Sequence, residues 1–259
     1  MKSKVLVGML LLALMATVVT VKLVFFHSIK DAYFALDRQK LQQVRAGLVV
    51  VRPTHFSKAQ PSGIIYASNG NGNGLRMMGR NVPLRSLIAT AYSRNPARVV
   101  VPSDIPQASF DFLVTTTGDP RQHLQTVVRK KLGYVAQKET RDTDVLALKI
   151  ADANLPGLTV SGADEKENVD FKDFQLHITH MPLADLAQGL EQFVKMPVVD
   201  KTGLTNFYDF LVAWDFKTQR QLRDDATSRA AADKIIQSLG LELQSDTASL
   251  EMLIVKKAD

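Results

Sequence analysis

Uncharged, mostly apolar residues run from Val5 to Val21, resume after one lysine at Leu23, Val24, Phe25 and Phe26, and then give way to mixed patterns. As a helix, the 22 residues from Val5 to Phe26 reach about 33 Å, enough for a hydrocarbon core of roughly 30 Å. The pattern predicts a membrane anchor over residues 1–27, carried by Val5, Leu11, Val18, Val21, Phe25 and Phe26. Lys22 stands near one end of the run, where its long stem can carry the ammonium to the interface. A cleaved signal peptide would want a shorter apolar core and a small-x-small site, whereas Ala13 and Ala16 lie inside the run.

From Ser28 apolar residues recur at helical spacing, at Ile29, Tyr33, Leu36, Leu41 and Val44, until Gly47. A stalk helix over residues 28–47 is therefore expected to continue the span and to stop at the glycine. Such a helix either lifts the next domain off the bilayer or docks on another membrane protein. In the second case Tyr33, Leu36 and Arg38 are candidate partner-binding residues. Deleting residues 1–46 is then expected to release a folded, soluble domain.

Leu48 to Val51 is a short apolar strand closed by Arg52-Pro53, and residues 61–74 hold Pro61, Gly63 and the alternating run Asn69 to Gly74. Neither a Walker lysine nor a βαβ unit with an acidic ribose ligand accompanies these glycines, so the segment is a flexible loop rather than a phosphate cradle. Past it the pattern repeats. Asn81-Val82-Pro83-Leu84-Arg85-Ser86-Leu87-Ile88 matches His180-Met181-Pro182-Leu183-Ala184-Asp185-Leu186-Ala187 at an offset of 99, and Phe110-Asp111-Phe112-Leu113-Val114 matches Tyr208-Asp209-Phe210-Leu211-Val212 at 98. Leu132-Gly133 and Val145–Lys149 match Leu239-Gly240 and Met252–Lys256 at 107, the difference being a charged insertion of about nine residues within Lys217–Ser228.

Each copy is predicted to run strand, helix, strand, strand, helix, strand, strand. Pro83 and Pro182 suit a first helical turn, the Leu-x-x-Leu spacing after each supplies a buried face, and glycine ends each second helix. The predicted class is α+β, with two related lobes produced by internal duplication. The first covers residues 48–151 and the second 171–259, and the polar segment 152–170 links them.

Composition narrows the chemistry. With 46% hydrophobic and 22% charged residues the chain has the balance of a folded protein. The absence of cysteine excludes thiolate metal sites, iron–sulfur clusters, disulfides and a lipidated cysteine. The net charge of +6 conceals an asymmetry: residues 1–100 carry 14 Lys and Arg against 2 Asp and Glu, and the remainder 18 against 24. Arg76, Arg80, Arg85, Arg94 and Arg98 are scattered without interleaved aromatics, which disfavours nucleic acid. A basic flank beside a membrane segment suits anionic lipid or an acidic partner.

Residue constellations for catalysis are weak. His177 and His180 lie three apart, which in a strand sends them to opposite faces, and no third ligand is near in sequence. No Gly-x-Ser-x-Gly elbow is present, and the carboxylate pairs Asp164-Glu165 and Asp224-Asp225 fall in polar segments. Trp214 is assigned to lobe core. In Asp200-Lys201-Thr202-Gly203, Asp200 can cap backbone N–H groups and Gly203 can take positive φ, so a structural turn explains the motif, with a partner-binding or ligand-binding loop as the alternative.

The segments Pro197–Thr205, Tyr208-Asp209-Phe210 and Leu239–Leu243, with Val49–Pro53 and Asn81–Tyr92 in the first lobe, resemble an uncharacterised soil-associated protein family of bacteria. The resemblance covers roughly residues 48–256, although Asn206-Phe207 and the tail Lys256–Asp259 depart from the family pattern. Each lobe is also similar to the short N-terminal domain of secretins and TonB-dependent transporters. These resemblances imply an exported protein-interaction module with no catalytic residues. The expectation is a single-pass protein of the bacterial inner (cytoplasmic) membrane with its bulk periplasmic, a non-enzymatic accessory or assembly subunit of a respiratory, photosynthetic or transport complex. No cofactor, metal or nucleic acid is expected; the lipid bilayer and an integral membrane protein complex are the expected partners. A sensory module that recognises an extracytoplasmic ligand is the alternative, and an uncharacterised hydrolase stands behind it.

Overall fold

The computed structural model describes residues 31–57, 59–68, 75–173, 175–213 and 225–258. The predicted anchor, with Val5, Leu11, Val18, Val21, Lys22, Phe25 and Phe26, lies outside the described residues, as do the Asn69–Gly74 run, Trp214 and most of the charged insertion. Among the described residues no helix is long and apolar enough to cross a membrane. Their class is α+β.

The chain packs as two compact units. The first takes the described residues up to Tyr92, Ser103–Val135 and the chain end from Lys257; the second takes Ser93–Pro102 and Ala136–Lys256. A packing unit and a sequence repeat thus divide the chain at different places, because strands near the end of each copy pair with the other copy.

In the first unit β1 (Val49–Pro53), β2 (Gly63–Ser68), β3 (Leu75–Pro83) and β5 (Ser109–Val114) form an antiparallel sheet in the order β1-β5-β3-β2. Helix α2 (Leu84–Ala91) leaves β3 directly and buries Leu84, Leu87, Ile88 and Ala91. Pro83 is expected inside the helix but stands at its N-cap with ψ 148°. An extended proline ends the strand, and its missing N–H is no loss where ladder pairing ceases. Helix α3 (Pro120–Val127) is capped by Asp119, whose carboxylate accepts the Arg121 N–H at 2.9 Å, and its C-terminal continuation stops at Gly133, φ 71°.

The predicted stalk helix is not continuous over its described part. Leu36 has φ 53°, Asp37 caps a short α1 (Arg38–Gln43), and Gly47, φ 87°, donates its N–H to the Thr115 carbonyl instead of ending a helix. Phe34, Leu41 and Val44 are buried against Ala67, Met78 and Leu113 of the sheet. The periodicity that suggests a stalk is the periodicity of a segment folded onto the sheet. Tyr33 and Arg38 are exposed, and Leu36 is half-buried in that apolar cluster.

In the second unit β7 (Thr159–Val160), β8 (Asn168–Lys172), β9 (Gln175–Pro182) and β11 (Phe207–Ala213) give the order β7-β11-β9-β8, again antiparallel. Helix α4 (Leu183–Val194) follows Pro182 at its N-cap, and α5 (Asp225–Ser238) ends before Gly240, φ 80°. Leu186, Leu190 and Ile236 from the helices, with Leu239 just after α5, meet Tyr208, Phe210, Val212 and Ile178 in one core.

A further sheet runs β10-β6-β12-β4, from β4 (Val99–Val100), β6 (Tyr134–Ile150), β10 (Val198–Asp200) and β12 (Leu241–Lys257). The two strands expected after each Leu-Gly are one long strand of 17 residues, because β6 pairs with β12 rather than turning back on itself. Lys149 Nζ reaches Gln244 Oε1 at 2.9 Å and Lys256 Nζ reaches Glu139 at 2.6 Å. Val99 pairs in parallel with Leu253, while Val198 pairs in parallel with Leu146.

Candidate functional site

The second unit's sheet carries its core on one face only. Residues directly opposite across a ladder share a face. The row Phe210, Ile178, Val169 belongs to the core side, and the row Leu211, His177, Asp170 to the other. A cleft of about 490 Å³ opens at this sheet, lined by Thr159, His177, Thr179, Asp209 and Leu211, by Ile178 and Phe210 of the core-side row, and by Pro156, Gly157, Ser238 and Leu239. Gly157 is required there, since a Cβ would meet the Ser238 carbonyl at 2.4 Å.

Asp209 anchors this face. The β9–β11 register shifts between Tyr208 and Phe210, and the extra residue falls near His180, held at φ 56°. Asp209 Oδ1 accepts the His180 N–H at 2.9 Å and the Ser161 hydroxyl. Burial pushes the Asp209 carboxyl up, but the bonds from Ser161 and the His180 N–H, one shared with Glu165, and the nearby His180 ring hold it below the usual carboxylate value. The His180 ring stacks on Phe207 with centroids 4.2 Å apart and planes 4° from parallel. His177 Nε2 is buried without a hydrogen-bond partner.

The first unit has the same device. Its β3–β5 register shifts between Gly79 and Val82, Asn81 stands at φ 53°, and Asp111 Oδ1 accepts the Asn81 N–H at 3.0 Å and the Thr54 hydroxyl at 2.8 Å. There the second oxygen, Oδ2, accepts Arg52 Nε at 3.0 Å. Arg52 also pairs with Asp31 and lies 4.6 Å over the Phe34 ring. The outer row Val50, Leu113, Met78, Ile65 lies under the 31–47 segment. The contrast is sharp at the central position, where Leu113 is 0% exposed and Leu211 50%.

A family model for proteins of unknown function, DUF3738, matches residues 85–258, about two thirds of the chain. The chain belongs to that family. The DUF3738 match begins in α2 and includes both carboxylates, Asp111 and Asp209, but starts after β1, β2 and the 31–47 segment. No curated protein and no solved structure matches the chain.

The residues singled out in the sequence fall in separate places. Asp200 ends β10 and accepts the Thr202 N–H at 2.9 Å and its hydroxyl at 2.7 Å, Thr202 Oγ1 accepts the Leu204 N–H at 3.1 Å, and Gly203 has φ 73°. Lys201 Nζ pairs with Asp246 at 2.8 Å. The side chains are thus spent within the turn and on β12. His177 and His180 both sit on β9, and among the described residues no group of three or more ligand-type side chains could hold a metal ion. Sequence reasoning missed Asp209 as a site residue, although the matched Asp111 and Asp209 in the repeated strands carried the signal.

Proposed function

We propose that this DUF3738 protein is a membrane-anchored, extracytoplasmic protein-binding module built by internal duplication, serving as an accessory or assembly subunit of a larger membrane complex. The duplication is supported by the recurrence of strand order, bulge, positive-φ residue and clamping aspartate in the two units. The anchor is supported by the apolar run from Val5 to Phe26. The observation that carries the binding reading is the open outer row Leu211, His177, Asp170, whose counterpart in the first unit is sealed by the chain itself. A half-exposed leucine beside partly used polar groups on a rigid sheet is what a partner would cover.

Gentle solubilisation of native membranes, native gel separation and mass spectrometry test the reading. The chain is expected to migrate in a large complex at fixed ratio. Migration alone overturns the subunit assignment. The alternative of an extracytoplasmic ligand sensor draws on the cleft volume of about 490 Å³, within the range of small-molecule pockets. In that case a soluble ligand would raise the thermal midpoint of the isolated chain.

A further inference from the structure

In the first unit a cation completes the clamp. Arg52, on β1 directly opposite Asp111, neutralises a carboxylate that is 0% exposed and then bridges outward to Asp31 and Phe34 of the covering segment. In the second unit the residue on β7 directly opposite Asp209 is Thr159. Threonine brings a hydroxyl and no charge. Asp209 is left with hydrogen-bond donors and with Glu165, a second carboxyl, as its neighbour. Asp209, half-buried and with no charged residue on the strand opposite it, favours a cation beside it. Asp170, in the exposed row, adds a second negative group to the same side of the sheet.

We propose that the cleft of the second unit receives an amphipathic, basic segment of a partner protein, which sets an apolar side chain on Leu211 and an arginine or lysine on Asp209. The segment takes the place that residues 31–47 hold over the first sheet, and its cation takes the role of Arg52. Complementarity argues for this occupant over another. Leu113 and Met78 accept a purely apolar cover from Phe34, Leu41 and Val44. The corresponding row in the second unit keeps only Leu211 apolar, between His177 and the acidic side chains. His177, directly opposite Leu211, has its Nε2 buried without a hydrogen-bond partner. This inference rests on the protein-binding reading above and specifies the surface and the chemistry of the partner.

The test places a photo-reactive amino acid at Leu211 of the full chain in native membranes and sequences the cross-linked peptide. The expected product is a peptide of another protein with an apolar residue and an arginine or lysine close together. Its yield should fall about tenfold or more in Thr159→Arg, which supplies the missing guanidinium from within, and likewise in Asp209→Asn. Thr159→Arg keeps Asp209 and its clamp, so its effect separates lost recognition from lost folding. An unchanged yield in Thr159→Arg, a peptide without basic residues, a lipid adduct or a second copy of this chain each overturns the proposal. A chain that still migrates in its complex on native gels but gives no adduct at Leu211 sinks this inference alone. A chain that migrates alone and gives no adduct sinks both.

Discussion

Asp209 holds His180 in a left-handed conformation by accepting its backbone N–H at 2.9 Å, with His180 at φ 56°. Asp111 holds Asn81 in the same way at 3.0 Å and φ 53°. In each sheet an inserted residue would leave its N–H outside the ladder, and the carboxylate restores the lost partner. The device fixes where the strand bends into the following helix, and it turns Asp209 toward the outer face.

The backbone at Asn81 can be tested apart from its side chain. Asn81→Gly and Asn81→Ala both lose the Nδ2 bond to the Ser57 carbonyl, so their difference isolates the positive φ. Glycine should be the more stable by about 1 kcal/mol, because an L side chain crowds the adjacent carbonyl there. Denaturant unfolding of both variants measures it, and equal midpoints would remove the clamp's conformational role.

Gly79 and Phe112 lie directly opposite across β3 and β5. A Cβ on Gly79 would meet the Phe112 ring at 2.2 Å, and Phe112 is 0% exposed. Gly79→Ala should therefore cost about 2 kcal/mol or more through overpacking. Combined with Phe112→Leu the penalty should shrink, a non-additivity that a double-mutant cycle reads directly.

Glu191 predicts a pH effect of known sign. Burial raises its carboxyl above 4.5 against the lowering influence of the Val198 N–H and Arg98. The folded chain thus holds this proton more tightly than the unfolded chain. Stability from this group falls as pH climbs from 4.5 through the raised folded value, and stays flat beyond it. The midpoint of Glu191→Gln relative to the native chain should improve across that window. A relative midpoint that worsens with pH would mean that Arg98, whose Nε lies 2.7 Å from Glu191 Oε1, outweighs burial.

Truncation should discriminate between a stalk and a cover. Extending a deletion from residue 30 to residue 46 strips Phe34 and Leu41, each 1% exposed, from the first sheet. Loss of two such side chains, with Leu113 and Met78 newly wetted, should cost about 4 kcal/mol or more. Circular dichroism melts of the two truncations compare them. Equal midpoints would restore the stalk reading and the expected release of a folded domain by deletion of residues 1–46.

The sequence by itself determined the α+β class, the helix that follows each proline, the FDFLV and YDFLV strands, and the glycine stops at Gly133 and Gly240. These are local matters of period, turn chemistry and the φ that glycine permits. The offsets near 99 and 107 also marked Asp111 and Asp209 as counterparts. What the two carboxylates do was not legible, because their partners lie far along the chain: Arg52 is 59 residues from Asp111, and Ser161 is 48 from Asp209.

Only the tertiary structure decided which strands pair and which faces are covered. Helical spacing at Tyr33, Leu36, Leu41 and Val44 is the same whether a segment stands free or lies on a sheet. Val99 and Val198 read as strands internal to their own repeats until their ladders with Leu253 and Leu146 are seen. Pairing and cover are set by burial and hydrogen-bond satisfaction summed over distant residues, which no local pattern encodes. That sum covers Leu113, leaves Leu211 open, and places Thr159 where the other sheet keeps an arginine.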